Sequence, residues 1–571
     1  LRCARAPHDH GPRTRSHATP PIVAPSQPAS RSRIAPLAAE QFDLLVIGGG
    51  ITGAGVARDA AMRGLRTALV ERDDFASGTS SRSSRLVHGG IRYLEHGELR
   101  LVFESSAERR TLLAIAPHLV RPLAFTWPVY AGARVSRWKL AAGLTLYDAL
   151  ALFRNVARHA RLGTRGVLAH EPRVLAEGLT GGARYWDAAT DDMRLTLATV
   201  LSARSEGAVV ANHARVERLR LEGGRVAGAT VADTLSEARV EVRARVVVNA
   251  AGPWSDEVER LADPASRPAV RGTKGVHVSV PRARIGNVDA LTLLAPQDER
   301  VMFVLPAGDF AIIGTTDTYE AVSPDEVRAN EQDVAYLLQA ANHFFPSAKL
   351  TRDDVVSAWA GLRPLAADGS SGGDDPSGAS REHDVAEVTP GLVRVTGGKL
   401  TTYRAMAHEV VDAALRSLGI RRPAARTARV PLAGGELSDV GREVREATDK
   451  TGDAAAAERL VHAHGSAWRE VWSFAEAEPS LRERIDPARP YVMAELRHAV
   501  EHELALTLGD LLVRRTPVAF ETRDHGRGAA RRVLPEVARW LCWDQRAAEA
   551  ALAAYDAEVE RIFRVERERA G

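Results

Sequence analysis

The feature that most constrains this chain is a glycine-rich turn set between an apolar run and a helix-like stretch. Residues 42–47 (FDLLVI) read as a buried strand, and Gly48-Gly49-Gly50-Ile51-Thr52-Gly53 follow in a G-x-G-x-x-G pattern with Gly55 behind them. Residues 67–70 (TALV) read as the next strand. Strand, tight turn, helix and strand make one βαβ unit. In such a unit the first glycine permits the turn and the second lets backbone approach a pyrophosphate. The third lets helix and strand pack closely. The helix start points its amides at the phosphates. Glu71 closes the second strand about 20 residues downstream, where a ribose hydroxyl partner is expected. A glycine-rich turn alone is a weak signal; in this setting it specifies an adenine dinucleotide.

The chain of 571 residues is too long for one core, so two or three domains are expected. A formal net charge of +3 gives no concentrated basic face, which argues against nucleic acid as a partner. Cys3 and Cys542 are the only cysteines, which excludes a disulfide framework and a cysteine-rich metal site. Lys139, Lys274, Lys349, Lys399 and Lys450 are the only lysines, and arginine supplies the rest of the positive charge. A lysine that persists in so arginine-rich a chain marks a place where a compact ammonium is needed.

Residues 1–40 are rich in Pro, Arg, Ser and Ala, almost lack acids, and are expected to be disordered. That composition fits a mitochondrial leader, but its prolines oppose the amphipathic helix a leader needs. Strand-like runs recur at 246–248, 302–305, 310–313 and 392–395, alternating with helical stretches. A Gly/Ser/Asp-rich loop at 366–380 reads as flexible surface, and from about 425 the pattern turns helical, with clear periodicity over 491–515 and 544–564. Residues 140–153 (LAAGLTLYDALALF) are too short to span a bilayer and carry basic flanks. A buried helix is the first reading of that stretch, and an in-plane membrane contact the second.

Two further segments suit a long cofactor. Thr79-Ser80-Ser81-Arg82-Ser83-Ser84, followed by His88-Gly89-Gly90, offers hydroxyls and bare amides. Asn249-Ala250-Ala251-Gly252-Pro253-Trp254 ends a buried strand in small residues. His498-Ala499-Val500-Glu501-His502 fits H-x-x-E-H, an inverted zinc-protease pattern, but an interaction helix is the default and no metal is expected.

Several blocks together resemble the FAD-dependent glycerol-3-phosphate dehydrogenases. They are GGGITGAG (48–55), TSSRSSRLVHGGIRYLEHGELRLV (79–102), NAAGPW (249–254), KGVHVSVPR (274–282), FAIIGTTDT (310–318), GLRPL (361–365) and GGKLTTYR (397–404). The tail segment 491–516 resembles that family's C-terminal helical domain. The resemblance implies an α/β (α+β) flavoprotein with a Rossmann-like FAD-binding domain interleaved with a substrate domain. The FAD parts are expected at about 41–118, 196–262 and 355–424, the substrate parts at 119–195 and 263–354, and a helical domain at 425–571.

It also implies oxidation of sn-glycerol 3-phosphate to dihydroxyacetone phosphate, with electrons passed to a membrane quinone. The expected setting is the inner face of a bacterial plasma membrane, bound without spanning, rather than the mitochondrial inner membrane, with a second copy as partner in a homodimer. Cofactor contacts carried over are Gly48, Gly49, Gly50, Ile51, Thr52 and Gly53 in the turn, with Glu71 and Arg72. From the serine and histidine segment come Thr79, Ser80, Ser84, Leu86, His88 and Gly89. Val216, Ala250, Ala251, Gly252 and Trp254 follow, then Gly398, Lys399, Leu400 and Thr401. The sequence departs from the family at Arg85, where lysine is usual, at Arg381-Glu382-His383 in place of Arg-Asp-His, and in lacking a calcium-binding extension.

The chemistry requires cations for a phosphate and a base for a hydroxyl proton. Arg92, Arg363 and Lys399 are expected at the phosphate, with Tyr93 donating a hydrogen bond. His277 and His88 are the candidates for the base, with His277 preferred and His88 also suited to packing against the flavin. Alternatives are an oxygen-using glycerol-3-phosphate oxidase, an amine or hydroxy-acid oxidase, a non-catalytic flavin-binding protein, and a zinc peptidase.

Overall fold

The computed structural model describes residues 33–319, 323–366 and 382–567. The disorder expected for 1–32 and all but the first residue of the loop expected at 366–380 lie outside the described residues. The described chain starts earlier than the sequence pattern suggests. Ala35–Ala38 form a 3-10 turn, Ile34 and Leu37 are fully buried, and Arg33 donates to Asp233 at 2.5 Å. Two apolar side chains with a partner wall order this stretch despite its composition.

Gln41–Ile47 is the centre of the first sheet. It pairs in parallel with Thr67–Val70 on one side and Arg239–Asn249 on the other, in register Leu44 opposite Thr67 and Val246. Val209–Ala211 and Leu392–Gly397 extend the parallel set, His383–Thr389 closes one edge, and the hairpin Ala214–Glu222/Arg225–Asp233 folds onto Arg239–Asn249. These strands are apolar on both faces because helices cover one face and the hairpin region the other. Helices Ile51–Met62, Asp192–Ser205 and Tyr403–Leu418 form the covering layer. Gly55 is a tight point of that layer, since a Cβ there would lie 2.8 Å from the Tyr403 ring.

The second sheet is mostly antiparallel and is built from segments that alternate along the chain with those of the first. Val120–Tyr130 pairs with Leu179–Thr190 along its length, and Val270–Pro281 pairs with both Phe310–Gly314 and Ser357–Ala366. Two placements differ from the expected boundaries. Ser357–Ala366 and Leu86–Val87, expected within cofactor parts, are strands of this second sheet. Hydrogen-bonding partners far away in sequence decide which sheet a strand joins, and strand propensity carries no such label. Helix Glu331–Phe344, opened by a capping box at Asn330, packs on one face.

Beyond residue 425 the chain is helical: Val440–Thr451, Ala454–His464, Trp468–Ala477, Met493–His502, Arg527–Leu541 and Gln545–Phe563. The continuous periodicity over 491–515 is interrupted, with Met493–His502 ending before a π turn at Asp510–Arg515. The cause is Glu503, buried just after the first helix, whose carboxylate takes both Nη atoms of Arg194 at 2.7 Å. The helical region shares one continuous core with the second sheet, where Trp359 meets Phe520 edge to face at 5.3 Å and Ser357 Oγ donates to the Phe520 carbonyl at 2.8 Å.

Candidate active site

Both sheets end on one cavity of about 1050 Å³, at the upper end of the range for small-molecule sites. Its floor is the glycine turn. Gly48 has a φ of +107°, and a Cβ there would lie 2.6 Å from the Ala250 carbonyl oxygen, so strand ends Gln41–Ile47 and Arg239–Asn249 meet almost backbone to backbone. Gly53 is tighter still, since its Cβ would sit 1.9 Å from the Gly48 carbonyl. Gly48, Gly50, Ile51 and Thr52 line the cavity, while Gly49 and Gly53 lie behind the wall and shape it. Ser80 Oγ accepts from the Ile51 amide at 2.9 Å, which brings the serine segment onto the turn.

Glu71 lines the same end. Its carboxylate accepts from the Gly49 amide at 2.6 Å and the Asp73 amide at 3.0 Å. Burial raises its pKa, and those two amides oppose the rise. Arg72 pairs with Asp325 and lies 4.5 Å from the centre of the Trp254 ring, making a flat cation–ring platform beside Ala250, Ala251, Gly252 and Val216. Thr79, Leu86, Gly398, Leu400 and Thr401 complete the long wall. Thr401 Oγ1 accepts from the His88 amide at 3.2 Å, and Thr79 Oγ1 donates to the Leu362 carbonyl at 2.6 Å. Gly89, expected on the wall, is set back from it. Its amide donates to Asp187 Oδ1 at 3.0 Å, and a Cβ would lie 2.3 Å from the Tyr147 hydroxyl oxygen.

These features fit FAD. The turn bares backbone for a pyrophosphate, a buried carboxylate waits where a ribose would lie, and a continuous trough runs from Glu71 to the second sheet.

At the far end the second sheet supplies side chains. His277, on Val270–Pro281, stacks on Trp359 with ring centroids 5.5 Å apart and planes 12° apart. Its Nε2 is 2.9 Å from Ser84 Oγ, so Ser84 meets a histidine as well as the cavity. Its Nδ1 is buried with no hydrogen-bond partner among the described residues. Burial, helped by the Arg363 and Arg85 guanidiniums, pushes its pKa down to about 3. Arg363, on the paired strand Ser357–Ala366 opposite Thr273, donates to Asp317 Oδ1 at 2.9 Å and Thr315 Oγ1 at 3.0 Å. Lys399 Nζ sits 3.5 Å from the centre of the Tyr93 ring, and Arg92 lies 5.6 Å from the same ring. His88 lies half-buried beside them, its pKa pushed down to about 4 by desolvation, with Asp187 opposing and Lys399 and Arg92 adding to the fall.

His277, His88, Arg92, Tyr93, Arg363 and Lys399 thus all line the one cavity. The structure adds residues to which the sequence reading gave no role. Asp317 and Thr315 orient Arg363, and Arg300 reaches the same corner by donating to the Asp317 carbonyl at 2.5 Å. Asp317 and Thr315 fall inside the FAIIGTTDT block, which was the available signal. Arg300 had none, because one arginine among many carries no mark. At Arg85 the guanidinium, with φ +55° in its backbone, lies 5.1 Å from the Phe520 ring and 5.8 Å from the Trp359 ring. A planar cation can stack on two rings, which makes this departure from lysine a packing solution. In the H-x-x-E-H segment Glu501 pairs with Arg497, while His498 is buried with its pKa pushed down to about 3. His502 Nε2 lies 3.9 Å from Glu501 and its ring centroid 4.9 Å from that of His498, but the three do not form one ligand cluster. His498 instead lies near His464 and Glu503, whose carboxylate is already committed to Arg194.

A parallel dinucleotide sheet joined to an antiparallel sheet that closes a shared cavity defines a two-domain flavoprotein. Residues 43–413 match the family described as FAD dependent oxidoreductase, and residues 425–548 match the C-terminal domain of alpha-glycerophosphate oxidase. Within that class the chain belongs to the FAD-dependent glycerol-3-phosphate dehydrogenase family. It is 41% identical over 528 residues to the glycerol-3-phosphate dehydrogenase of Mycobacterium leprae, covering 91% of this chain and 88% of that one. The crystal structure of the glycerol-3-phosphate dehydrogenase from Bacillus halodurans complexed with FAD superposes with a TM-score of 0.77 at 33% identity, over 94% of this chain and 98% of that one. The L-alpha-glycerophosphate oxidase of Mycoplasma pneumoniae shares the fold, with a TM-score of 0.54 at 18% identity over 69% of this chain and 99% of that one.

Proposed function

We propose that the protein oxidises sn-glycerol 3-phosphate to dihydroxyacetone phosphate and passes the electrons to a quinone held in a membrane. The observation that carries this reading is that Arg92, Arg363 and Lys399 line the same cavity as a neutral, buried His277. FAD, when bound, supplies the acceptor for the hydride of the carbinol carbon. Everything else is done by the chain. Arg363, its plane fixed by Asp317 and Thr315, and Lys399, fixed against Tyr93, grip the phosphate, and Arg92 closes over it. A dianionic substrate adds charge-assisted hydrogen bonds to these half-buried cations, and most of its affinity is expected from them.

His277 takes the hydroxyl proton at Nε2, where the substrate hydroxyl replaces its contact with Ser84 Oγ, while the stacked Trp359 ring holds the imidazole plane. Before substrate binds, the imidazole is neutral because burial and the Arg363 and Arg85 guanidiniums disfavour its charge. Phosphate beside Arg363 offsets that cation, so proton affinity rises as substrate arrives. His88 packs behind the cofactor trough, supported by Asp187, which also accepts from Gly89 and from the Tyr147 hydroxyl at 2.7 Å.

The test is an anaerobic titration of the yellow protein with sn-glycerol 3-phosphate, followed spectroscopically. Bleaching by this substrate, and not by glycerol or an amino acid, is expected. In Lys399→Ala the flavin stays bound and half-bleaching needs roughly a hundredfold more substrate. A flavin that stays oxidised with glycerol 3-phosphate would end the substrate assignment. Re-oxidation of the bleached protein by air as fast as by quinone would favour the oxidase reading instead.

A further inference from the structure

Two consecutive arginines of the helical region close on one carboxylate of the cofactor loop. Asp74 follows Glu71 in the loop that wraps the glycine turn, and it is fully buried. Its Oδ2 accepts from Arg514 Nε at 2.7 Å and from Arg515 Nη1 at 2.6 Å. Its Oδ1 accepts from Arg515 Nη2 at 3.0 Å and from Asn212 Nδ2 at 2.9 Å. Both arginines are buried as well. Adjacent side chains on an α-helix point about 100° apart and do not meet on one atom. The π turn Asp510–Arg515 winds less per residue, which lets the two guanidiniums converge.

The rest of the cluster is equally closed. Arg514 Nη2 donates to Asp510 Oδ1 at 2.9 Å, and Glu558 is its outer partner. Asp510 Oδ2 meets His213 Nε2 at 3.0 Å and accepts from the Leu506 and Thr507 amides at 2.8 and 3.2 Å. Arg515 Nη2 also donates to the Glu503 carbonyl at 2.8 Å, and the Glu503 carboxylate is the one held by Arg194. Two buried guanidiniums thus face two buried carboxylates whose lone pairs are filled, as a buried ion cluster requires.

What this cluster holds is the ribose end of the cavity. Glu71, Arg72 and Asp73 line the cavity directly before Asp74, and Ser77 and Gly78 line it shortly after. Phe75 backs the glycine turn, since a Cβ on Gly49 would lie 2.7 Å from its ring. The Ala76 amide donates to the Gly49 carbonyl at 3.1 Å, while the Gly49 amide donates to Glu71. The His213 amide donates to the Asp73 carbonyl at 2.6 Å. The helical region therefore reaches the loop twice, through Asp74 and through His213.

We propose that Arg514 and Arg515 are positioning residues for FAD, locking loop 71–78 onto the glycine turn through Asp74 so that the helical region retains the cofactor. Neither arginine lines the cavity, so the effect passes through Asp74 and its loop. It concerns the cofactor alone and holds whatever the substrate and the electron acceptor.

FAD release from the full holoenzyme is followed as the rise in free-flavin fluorescence after dilution, for wild type, Arg514→Lys, Arg515→Lys and Trp468→Phe. Lysine keeps the charge, so no buried carboxylate is left without a cation, but it loses the planar fork. Each lysine variant should release FAD about tenfold faster than wild type at a temperature where it is fully folded. Trp468→Phe is the control for general loosening. It shrinks a buried side chain of the helical region that bonds Glu443 at 3.0 Å and takes no part in the cluster. It should lower the melting temperature and release FAD at the wild-type rate. Lysine variants that release FAD at the wild-type rate would overturn the proposal, whatever their melting temperatures. So would release from Trp468→Phe as fast as from the lysine variants, because the cluster would then act only through overall stability.

Discussion

The two ends of the active-site cavity are built in opposite ways. At the nucleotide end the determinants are consecutive: Gly48 to Gly53 set the backbone, and Glu71 answers from the adjacent strand through the Gly49 amide. At the chemical end Ser84, His277, Arg363 and Lys399 come from segments scattered over more than three hundred residues and are brought together by strand pairing. The first end depends on the absence of side chains and is intolerant of any added atom. The second depends on side chains held by neighbours, so losing one leaves the fold standing and removes a function.

Gly53→Ala is the hardest blow to that contrast. A Cβ placed 1.9 Å from the Gly48 carbonyl forces strand and helix apart, and the yellow spectrum of the purified protein should be lost, with a lowered melting temperature. Normal flavin content in this variant would show that the turn is more pliant than its geometry implies. His277→Asn should instead keep flavin and fold while lowering kcat by about a hundred- to a thousandfold with little change in KM. A large rise in KM with kcat intact would move His277 from proton transfer to substrate binding.

The smallest effect is on stability against pH. His88, half-buried, and His118, His277 and His498, buried, have pKa values pushed down to about 4, 3, 3 and 3, below the ordinary value of 6.5. Between those values and 6.5 the unfolded chain holds more protons than the folded one, so stability falls as pH drops through that window. Glu171 and Asp192, raised to about 7 and 6 by burial, act in the opposite sense and offset part of the slope. His277→Asn should flatten the dependence of the melting free energy by about 1.4 kcal/mol per pH unit. An unchanged slope would mean that the imidazole is charged in the folded protein.

Much of the first sheet was legible because its signals are local. An apolar run before glycines, an acid after the next run and a valine strand ending in small residues each became the expected strand or turn. The second sheet was harder. Ser357–Ala366 has nothing in its own residues to separate it from a cofactor strand; its pairing with Val270–Pro281 decides, and so it brings Arg363 opposite Thr273, four positions from His277. The helical tail shows the same limit, since periodicity over 491–515 could not foresee that Arg194 would draw Glu503 inward and break the helix.

The sequence by itself determined the dinucleotide turn, the cations and histidines available for chemistry, and the helical character of the region beyond residue 425. These follow from residue type and short spacing, which act through sterics and periodicity within one element. Tertiary structure alone decided that Arg363 is oriented by Asp317 and Thr315, that His277 is neutral and stacked on Trp359, and that an apolar helix keeps one face outside. Burial, charge proximity and exposure are properties of what surrounds a group, and the surroundings here come from distant parts of the chain.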